Sequence, residues 1–534
     1  MDITELRQKA ENGDVEAQNH LGACYANGKG VEQDYEEAVK WFKKATEQNY
    51  TKAQYNLGSC YYYGNGVEQD YEEAVYWFKK AAEQGDDLAQ NHLGACYANG
   101  EGVEQDYEKA VFWYKKAAEQ EFDPAQYNLG VCYYYGDGVE QDYEEAFNWY
   151  KKAAEQGDDS AQFALGRCYY KGHGVEQDYK EAVHWYRKAA EQDYAPAQDY
   201  LGYCYQNGEG VEQNYDEAFK WYKKAAEQGD TNAQNNLGNC YQNGEGVEQD
   251  YKQAVHWYKK AAEQDYAPAQ FNLGRCYHNG YGVEQDYKQA VFWFKKAAEQ
   301  DNGVAQKNLG NCYYYGEGVE QDYEEAVKWF KKAAEQEFAP AQYNLGACYA
   351  NGEGVEHDYE EAVKWFKKAA EQDYAPAQHA LGRCYYYGEG IEQDDEEAVR
   401  WYKKAAKQDH AQAQFNLGNH YYFGEGVELD YKEAVYWYKK AAEQNYAPAQ
   451  CNLGDCYYYG DGVEQNYEKA VFWFKKAAEQ NFGYAQELLG NCYLLGSGVP
   501  QDNEKAKMWH DKAKENGCEF DEELLQKMKK AFNP

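Results

Sequence analysis

One motif recurs every 36 residues along this 534-residue chain, and this repetition constrains the fold more than any other feature. Its register is marked by fourteen leucines, each followed by glycine: Leu21, Leu57, Leu93, Leu129, Leu165, Leu201, Leu237, Leu273, Leu309, Leu345, Leu381, Leu417, Leu453 and Leu489. A period of roughly 20 to 50 residues is typical of arrays in which each small unit buries its apolar face only against its neighbours. We therefore predict one elongated repeat domain with a continuous core.

The second copy shows how the unit is built. Its first apolar residues fall on one face of a helix, which we call helix A: Ala53, Leu57, Cys60, Tyr61 and Gly64. Gly58 keeps its place in every copy, which indicates a close approach of another helix. After a glycine turn, Asp70 is a favourable N-cap for a second helix, helix B, which ends at Gly85. Each repeat is therefore predicted to be a pair of helices.

The two ends of the chain read as caps for the array. We predict an N-terminal capping half-repeat at 1–16, fourteen repeats at 17–518 and a C-terminal capping helix at 519–534. Ile3 and Leu6 fall in slots that helix B residues occupy elsewhere. The last segment places these apolar residues on one helix face: Leu524, Leu525, Met528 and Phe532.

The cysteines are predicted to be unpaired. Thirteen of the fifteen lie three residues after the marking leucine, and His420 replaces the thiol once. Equivalent residues of adjacent helix pairs should lie about 10 Å apart, whereas a disulfide needs Cα atoms within about 7 Å. Free thiols suit a reducing compartment, and Met1 to Asp14 offers no apolar run for a signal peptide, so we expect a cytoplasmic protein. Outside the slot, we interpret Cys451 as a candidate exposed thiol.

Charge and motifs argue against several classes of function. A net charge of −39 opposes binding to nucleic acid or to anionic membrane surfaces, and the sequence has no apolar run long enough for membrane insertion. The repeated Gly-x-Gly-Val follows a helix and lacks the lysine of a phosphate loop. Cysteines spaced by 36 residues do not match a metal cluster, and no catalytic constellation stands out. We expect no cofactor and no enzymatic activity.

The repeated pattern resembles the Sel-1-like repeat, a relative of the tetratricopeptide repeat. In the second copy the pattern is carried by Ala53, Leu57, Gly58, Tyr61, Gly64, Gly66, Val67, Asp70, Ala74, Trp77, Ala81 and Ala82. This resemblance implies an all-α fold, a right-handed superhelical α-solenoid of antiparallel helix pairs with helix A on the concave side. It also implies a scaffold or adaptor that binds proteins and brings no catalytic residues. Some members of the family carry two cysteines per repeat and are rich in disulfides, whereas this chain carries one.

Five positions of helix A vary between copies while their neighbours stay fixed, and we call them the variable face. They lie two and one residues before the marking leucine and two, five and six after it. Asparagine directly precedes that leucine in eight copies: Asn56, Asn128, Asn236, Asn272, Asn308, Asn344, Asn416 and Asn452. Such a row is similar to the asparagine ladder with which some tetratricopeptide superhelices hold peptide backbones. The alternative is a duplicated surface asparagine bonded to water or to a neighbouring repeat.

Arginine and tyrosine add two further features to this face. Arg167, Arg275 and Arg383 lie two residues after the leucine and are candidates for binding carboxylates, or they neutralise nearby acids or record duplication of a three-repeat block. Tyrosine pairs five and six residues after the leucine form a candidate contact surface. In the alternative interpretation, about half of these tyrosines pack between repeats instead. These are Tyr62, Tyr63, Tyr134, Tyr135, Tyr314, Tyr315, Tyr386, Tyr387, Tyr458 and Tyr459.

Together these features predict a non-enzymatic scaffold or adaptor that binds a protein or an extended peptide in its concave groove. One alternative is carbohydrate or cell-wall binding through a tyrosine-rich groove. Another is a structural spacer or self-assembling array. The sequence does not fix the oligomeric state, and we favour a monomer.

Overall fold

The computed structural model describes residues 2–518, and within that range the chain is helical and contains no strand. Its helices are α1 (Ile3–Glu11), α2 (Val15–Asn27), α3 (Tyr35–Glu47), α4 (Thr51–Tyr63), α5 (Tyr71–Glu83), α6 (Asp87–Asn99), α7 (Tyr107–Ala118), α8 (Asp123–Tyr135), α9 (Tyr143–Gln156), α10 (Asp159–Lys171), α11 (Tyr179–Glu191), α12 (Ala195–Asn207), α13 (Tyr215–Glu227), α14 (Thr231–Asn243), α15 (Tyr251–Ala262), α16 (Ala267–Asn279), α17 (Tyr287–Glu299), α18 (Gly303–Tyr315), α19 (Tyr323–Glu335), α20 (Ala339–Asn351), α21 (Tyr359–Glu371), α22 (Ala375–Tyr387), α23 (Asp395–Lys407), α24 (Ala411–Phe423), α25 (Tyr431–Glu443), α26 (Ala447–Tyr459), α27 (Tyr467–Ala478), α28 (Gly483–Leu495) and α29 (Asn503–Glu515). From α2 onward, even-numbered helices are helix A and odd-numbered helices are helix B. The all-α prediction is confirmed, and the predicted capping helix at 519–534 lies outside the described residues.

The helix ends follow the predicted chemistry. Asp70 caps α5, because its carboxylate accepts hydrogen bonds from the backbone N–H groups of Glu72 and Glu73, both at 3.0 Å. Helix A ends at a left-handed glycine such as Gly64, with φ of 73°. Helix B is followed by Gly85 (φ 96°) or, in other copies, by residues such as Asn49 (φ 56°) that tolerate this conformation. Each repeat is therefore two helices joined by fixed turns.

The hydrophobic core is divided into layers that neighbouring repeats share. In one such layer Phe78 of α5 packs with Leu93 and Cys96 of α6, although α5 and α6 belong to different repeats. Within a repeat, helix A lies very close to helix B. A Cβ atom added to Gly58 would lie 2.7 Å from the Phe78 ring, which explains why glycine is required there.

The described residues form two compact units, which divide between Gln264 and Asp265. The same packing of helix pairs operates within each unit. At the N-terminus α1 takes the place of a helix B, and its Leu6 and Ala10 are buried in a core that includes Leu21 of α2. Within residues 2–518, the structure contains no helix long and apolar enough to cross a membrane.

Within each unit, a buried glutamine links a repeat to the preceding one. Gln306 of α18 donates a hydrogen bond from Nε2 to the carbonyl oxygen of Ala298, at the end of the preceding helix B, at 3.0 Å. Its Oε1 accepts from Nε2 of Gln336, at the end of its own helix B, at 2.8 Å. The second contact, between residues 30 apart, recurs in all fourteen repeats, with Asn516 replacing the donor glutamine in the last. The buried residues are Gln18, Gln54, Gln90, Gln126, Gln162, Gln198, Gln234, Gln270, Gln306, Gln342, Gln378, Gln414, Gln450 and Gln486.

The cysteines of the described chain are all free, as predicted. The interpretation of Cys451 as an exposed thiol is wrong, because its side chain is completely buried. It lies two residues before the marking leucine, at the seam between consecutive A helices, and Asp199 and Asn235 at the same position are also buried. Asn19 and Asn91 at this position are half-buried, so the degree of cover differs between repeats.

We expect Gln306→Ala to weaken its own repeat. The substitution removes one hydrogen bond from the Ala298 carbonyl, which still accepts from the Asp301 N–H, and another from the Gln336 amide. The net loss of a hydrogen bond costs about 0.5 to 1.5 kcal/mol. Because repeat arrays open locally, the measurement is hydrogen exchange followed by mass spectrometry across residues 303–338. Gln289→Ala, which removes an exposed side chain from α17, is the matched control and should leave exchange unchanged. Equal exchange in the two variants would contradict the structural role of the buried amide.

Thiol counting tests the core cysteines. Burial raises the pKa of Cys96 and Cys312 to about 12, so at pH 8 almost none of either thiol is the reactive thiolate. In the folded protein without reductant, we expect a disulfide-exchange reagent to react rapidly with Cys518, the half-buried thiol, and slowly with the buried ones. After unfolding in denaturant, still without reductant, all fifteen thiols should react. A lower count would reveal a disulfide and refute the unpaired arrangement.

Candidate functional site

The variable face is formed by successive A helices, which lie side by side within each unit. In the ninth repeat it consists of Lys307, Asn308, Asn311, Tyr314 and Tyr315 of α18. The first four are half-buried and Tyr315 is exposed, while Leu309 and Cys312 point into the core. Helical periodicity thus separates core positions from the face, as the sequence predicts.

Asparagines of the predicted row make hydrogen bonds to the preceding repeat. Nδ2 of Asn56 donates to Oδ1 of Asn19 at 2.9 Å, and Nδ2 of Asn344 donates to Oδ1 of Asn311 at 3.1 Å. The same kind of contact joins Asn128 to Asn91, Asn236 to Asp199, Asn416 to His379 and Asn452 to Asn419. Asn308 instead donates to the Val304 carbonyl of its own helix, and Asn272 is not free either. Contacts to a neighbouring repeat were the alternative that the sequence left open.

Three asparagines of this row keep unused hydrogen-bonding groups. Asn56, Asn128 and Asn344 each use one N–H, and within the described residues their carbonyl oxygens and second N–H groups make no further hydrogen bond. An asparagine side chain offers two donors and a carbonyl acceptor. These side chains are therefore held in place by one contact while an acceptor and a donor remain for a ligand.

The structure divides each tyrosine pair into two environments. The first tyrosine is half-buried and bonds to a turn of the next repeat: Tyr62 donates to Oε2 of Glu101 at 2.6 Å, and Tyr314 donates to Oε2 of Glu353 at 2.5 Å. The second tyrosine, such as Tyr315, projects into solvent and is 65% exposed. Tyr134 bonds similarly to His173 and Tyr386 to Glu425, while Tyr63, Tyr135, Tyr387 and Tyr459 are exposed and Tyr458 is half-buried. The second member of each pair is thus the one available for contact.

The three predicted arginines lie against aromatic rings. The guanidinium of Arg167 lies 6.0 Å from the centre of the Phe163 ring, and that of Arg275 lies 5.8 Å from the centre of the Phe271 ring. Arg383 lies 5.9 Å from the centre of the Tyr387 ring. Within residues 2–518, none of the three has a carboxylate oxygen within 4.0 Å. Their charges are therefore not neutralised by a direct ion pair.

Two cavities of the second unit bring predicted site residues together. One, of about 270 Å³, is lined by Tyr386, Tyr387, Asn416 and His420. The other, of about 230 Å³, is lined by Arg383 and Glu389 and by small residues that include Ala350 and Ala380. In this second cavity, alanine stands where other repeats have the first tyrosine and the asparagine, so the space opens because those side chains are missing.

Sequence reasoning missed several ionisable groups of the face. Burial raises the pKa of Asp199 to about 7, and burial likewise raises the pKa of Asp455 to about 7. Burial also lowers the pKa of His379 to about 3, so its unprotonated Nε2 accepts the hydrogen bond from Asn416 at 3.1 Å. These residues occupy variable positions, and that variability was the available signal. Among the described residues, no group of three or more His, Cys, Asp or Glu side chains is placed to hold a metal ion.

Comparison with known proteins identifies the repeat. The Sel1 repeat profile matches residues 15–50, 51–86, 87–122, 123–158, 159–194, 195–230, 231–266, 267–302, 303–338, 339–374, 375–410, 411–446, 447–482 and 483–518. No curated protein sequence matches the chain significantly.

Two solved structures show the same kind of repeat. A protective antigen present in uropathogenic Escherichia coli strains, described as displaying an SLR fold, is 37% identical, with a TM-score of 0.64 over 90% of this chain and 98% of that one. A Sel1 repeat protein from Oxalobacter formigenes is 35% identical over 58% of this chain and 89% of that one, with a TM-score of 0.46. The first of these structures, together with the repeat profile, confirms the α-solenoid class predicted from the sequence. Because the profile matches fourteen consecutive segments and the first of these structures shares the fold, this chain belongs to the Sel1 repeat family.

Proposed function

We propose that this protein is a non-enzymatic scaffold that captures an extended segment of a partner protein on its variable face. The Sel1 repeat solenoid is a fold typical of protein-interaction scaffolds. The observation that carries the proposal is the asparagine row, in which side chains such as Asn56 and Asn344 are held by one hydrogen bond and keep an unused acceptor and donor. A peptide unit offers the complementary N–H and C=O groups.

Preorganisation supports this use of the asparagines. A side chain already fixed by a neighbour loses little conformational freedom when a ligand binds, so more of the new hydrogen-bond energy appears as affinity. Consecutive helices pack about 8 to 10 Å apart, and an extended chain advances about 3.3 Å per residue. Where consecutive repeats carry the asparagine, as at Asn272, Asn308 and Asn344, the row therefore matches about every third residue of the ligand.

The other features of the face would add side-chain selectivity to this capture of the backbone. Exposed tyrosines such as Tyr315 offer amphipathic contact area, and Arg167, Arg275 and Arg383 offer cationic groups to acidic side chains of the ligand. The exposed tyrosine rings also favour one second candidate, stacking against sugar rings of a carbohydrate. Buried free thiols suit a reducing compartment, and we place the protein in the cytoplasm on that ground.

The double substitution Asn308→Ala with Asn344→Ala tests backbone capture. The probes are blocked ten-residue peptides that differ in side-chain sequence, and binding is followed by fluorescence anisotropy. We expect every peptide that binds the unmodified protein to bind roughly thirtyfold more weakly, because about 1 kcal/mol is lost with each of the two asparagines. The melting temperature should change little, because neither amide is buried.

Asn148→Ala removes an exposed asparagine from helix B of the fourth repeat and is the control that should leave binding intact. Losses that depend on peptide sequence would contradict backbone capture. Binding of tri-N-acetylglucosamine in the absence of any peptide binding would favour the carbohydrate candidate instead.

A further inference from the structure

A cavity on the variable face of the first unit contains a buried carboxylate. Asp199 of α12 lies two residues before the marking Leu201, and only 7% of its surface is exposed. The cavity measures about 310 Å³ and is lined by Asp199 together with Tyr170, Tyr200 and Tyr203. This volume falls at the lower end of ligand pockets, about 300 Å³.

The hydrogen bonding of Asp199 is incomplete. Nδ2 of Asn236 donates to its Oδ1 at 3.0 Å. Within the part of the chain that the structure describes, Asp199 makes no other hydrogen bond and has no cationic side chain within 4.0 Å. A buried carboxylate is costly to ionise unless it is paired, so the second oxygen leaves a site for a donor or a cation.

The charged groups around Asp199 do not supply that cation. Burial, and to a smaller extent the carboxylate of Asp230, raises the pKa of Asp199 to about 7. The Tyr222 phenol faces Asp199 from α13. Burial raises the pKa of this phenol, so it is neutral near pH 7. Lys171 lines the same cavity but is exposed, and its Nζ lies 5.7 Å from the centre of the Tyr170 ring.

We propose that this cavity binds an organic cation, an alkylammonium or guanidinium group, with Asp199 as its counter-ion and the rings of Tyr200 and Tyr203 as its walls. The cation is the charged side chain of a bound peptide or a free amine. An aromatic face attracts such a cation, and a desolvated carboxylate pairs with it strongly. A hard metal ion would need six or more oxygen ligands, which a single carboxylate with tyrosine walls does not offer.

This inference extends the proposed capture of peptides. The part of it that concerns a peptide side chain rests on that proposed function. At the position of Asp199 the other repeats of the first unit have asparagine or an aromatic residue: Asn19, Tyr55, Asn91, Tyr127, Phe163 and Asn235. Asp199 therefore gives the sixth repeat, alone among the repeats of the first unit, a carboxylate at this position and with it a preference for a cationic ligand side chain.

The test uses isothermal titration calorimetry at pH 8 on the full chain. The probes are n-butylammonium, the blocked pentapeptide Gly-Ser-Lys-Ser-Gly and its analogue with norleucine in place of lysine. We expect the unmodified protein to bind butylammonium and to bind the lysine peptide roughly tenfold more tightly than the norleucine peptide, the effect of one charge-assisted hydrogen bond. In the Asp199→Asn variant that preference should disappear. Asp216→Asn, which removes an exposed charge from α13, should retain it.

Two results would overturn the proposal. One is equal binding of the lysine and norleucine peptides without any binding of butylammonium. The other is an Asp199→Asn variant that binds the cations as well as the unmodified protein. Peptide binding that survives in either case would leave the proposed function standing. Binding of butylammonium without binding of either peptide would support the cation site and identify free amines as its ligands.

The pH dependence gives an independent readout. The pKa of Asp199 in the folded protein is about 7, so the ionised form that pairs with a cation is populated only as the pH rises through that value. We expect butylammonium affinity to rise by about tenfold between pH 6 and pH 8, with proton release on binding near pH 7. The Tyr222 phenol does not reproduce the rise, because burial raises its pKa above its ordinary value. A flat profile would contradict the role of Asp199.

Discussion

The structure depends on one buried amide in each repeat. The side chain of Gln306 forms hydrogen bonds both to the carbonyl of Ala298 in the preceding repeat and to Gln336 in its own repeat. Equivalents of the glutamine pair recur throughout the array. An apolar core of alanine and leucine tolerates small shifts, whereas a buried amide is satisfied in only one register. Within each unit, the glutamines therefore fix how one repeat packs on the preceding one and, with it, the spacing at which helix A presents its variable face.

Within a single tyrosine pair, one residue stabilises the array and the other is exposed to a ligand. Tyr314 bonds to the turn of the next repeat, whereas its neighbour Tyr315 is exposed. Asn344 has both roles: it donates a hydrogen bond to Asn311 in the preceding repeat, and its carbonyl oxygen stays unused and can bind a ligand. A contact that orders such a side chain also prepares it for binding. In this array stability and recognition share residues, and a substitution on the face has to be judged on both.

The sequence predicts what depends on local chemistry and misses what depends on contacts between repeats. Asp70 as an N-cap and Gly58 as a close contact follow from propensity and repetition, and both are confirmed. The role of Gln306 did not follow, although its presence in every copy was visible, because its partners lie 8 and 30 residues away and meet only in the folded stack. Cys451 and Asp199 were missed for a related reason, since both lie at a seam that only the next repeat covers.

The central claim is that the asparagine row holds a peptide by its backbone. A crystal structure of the protein with a bound peptide tests it most directly. The account predicts main-chain N–H and C=O groups of the peptide at about 3 Å from the asparagine Oδ1 and Nδ2 atoms, recurring at roughly every third peptide residue. A peptide seated on the B helices, or held on the A helices only through its side chains, would contradict it.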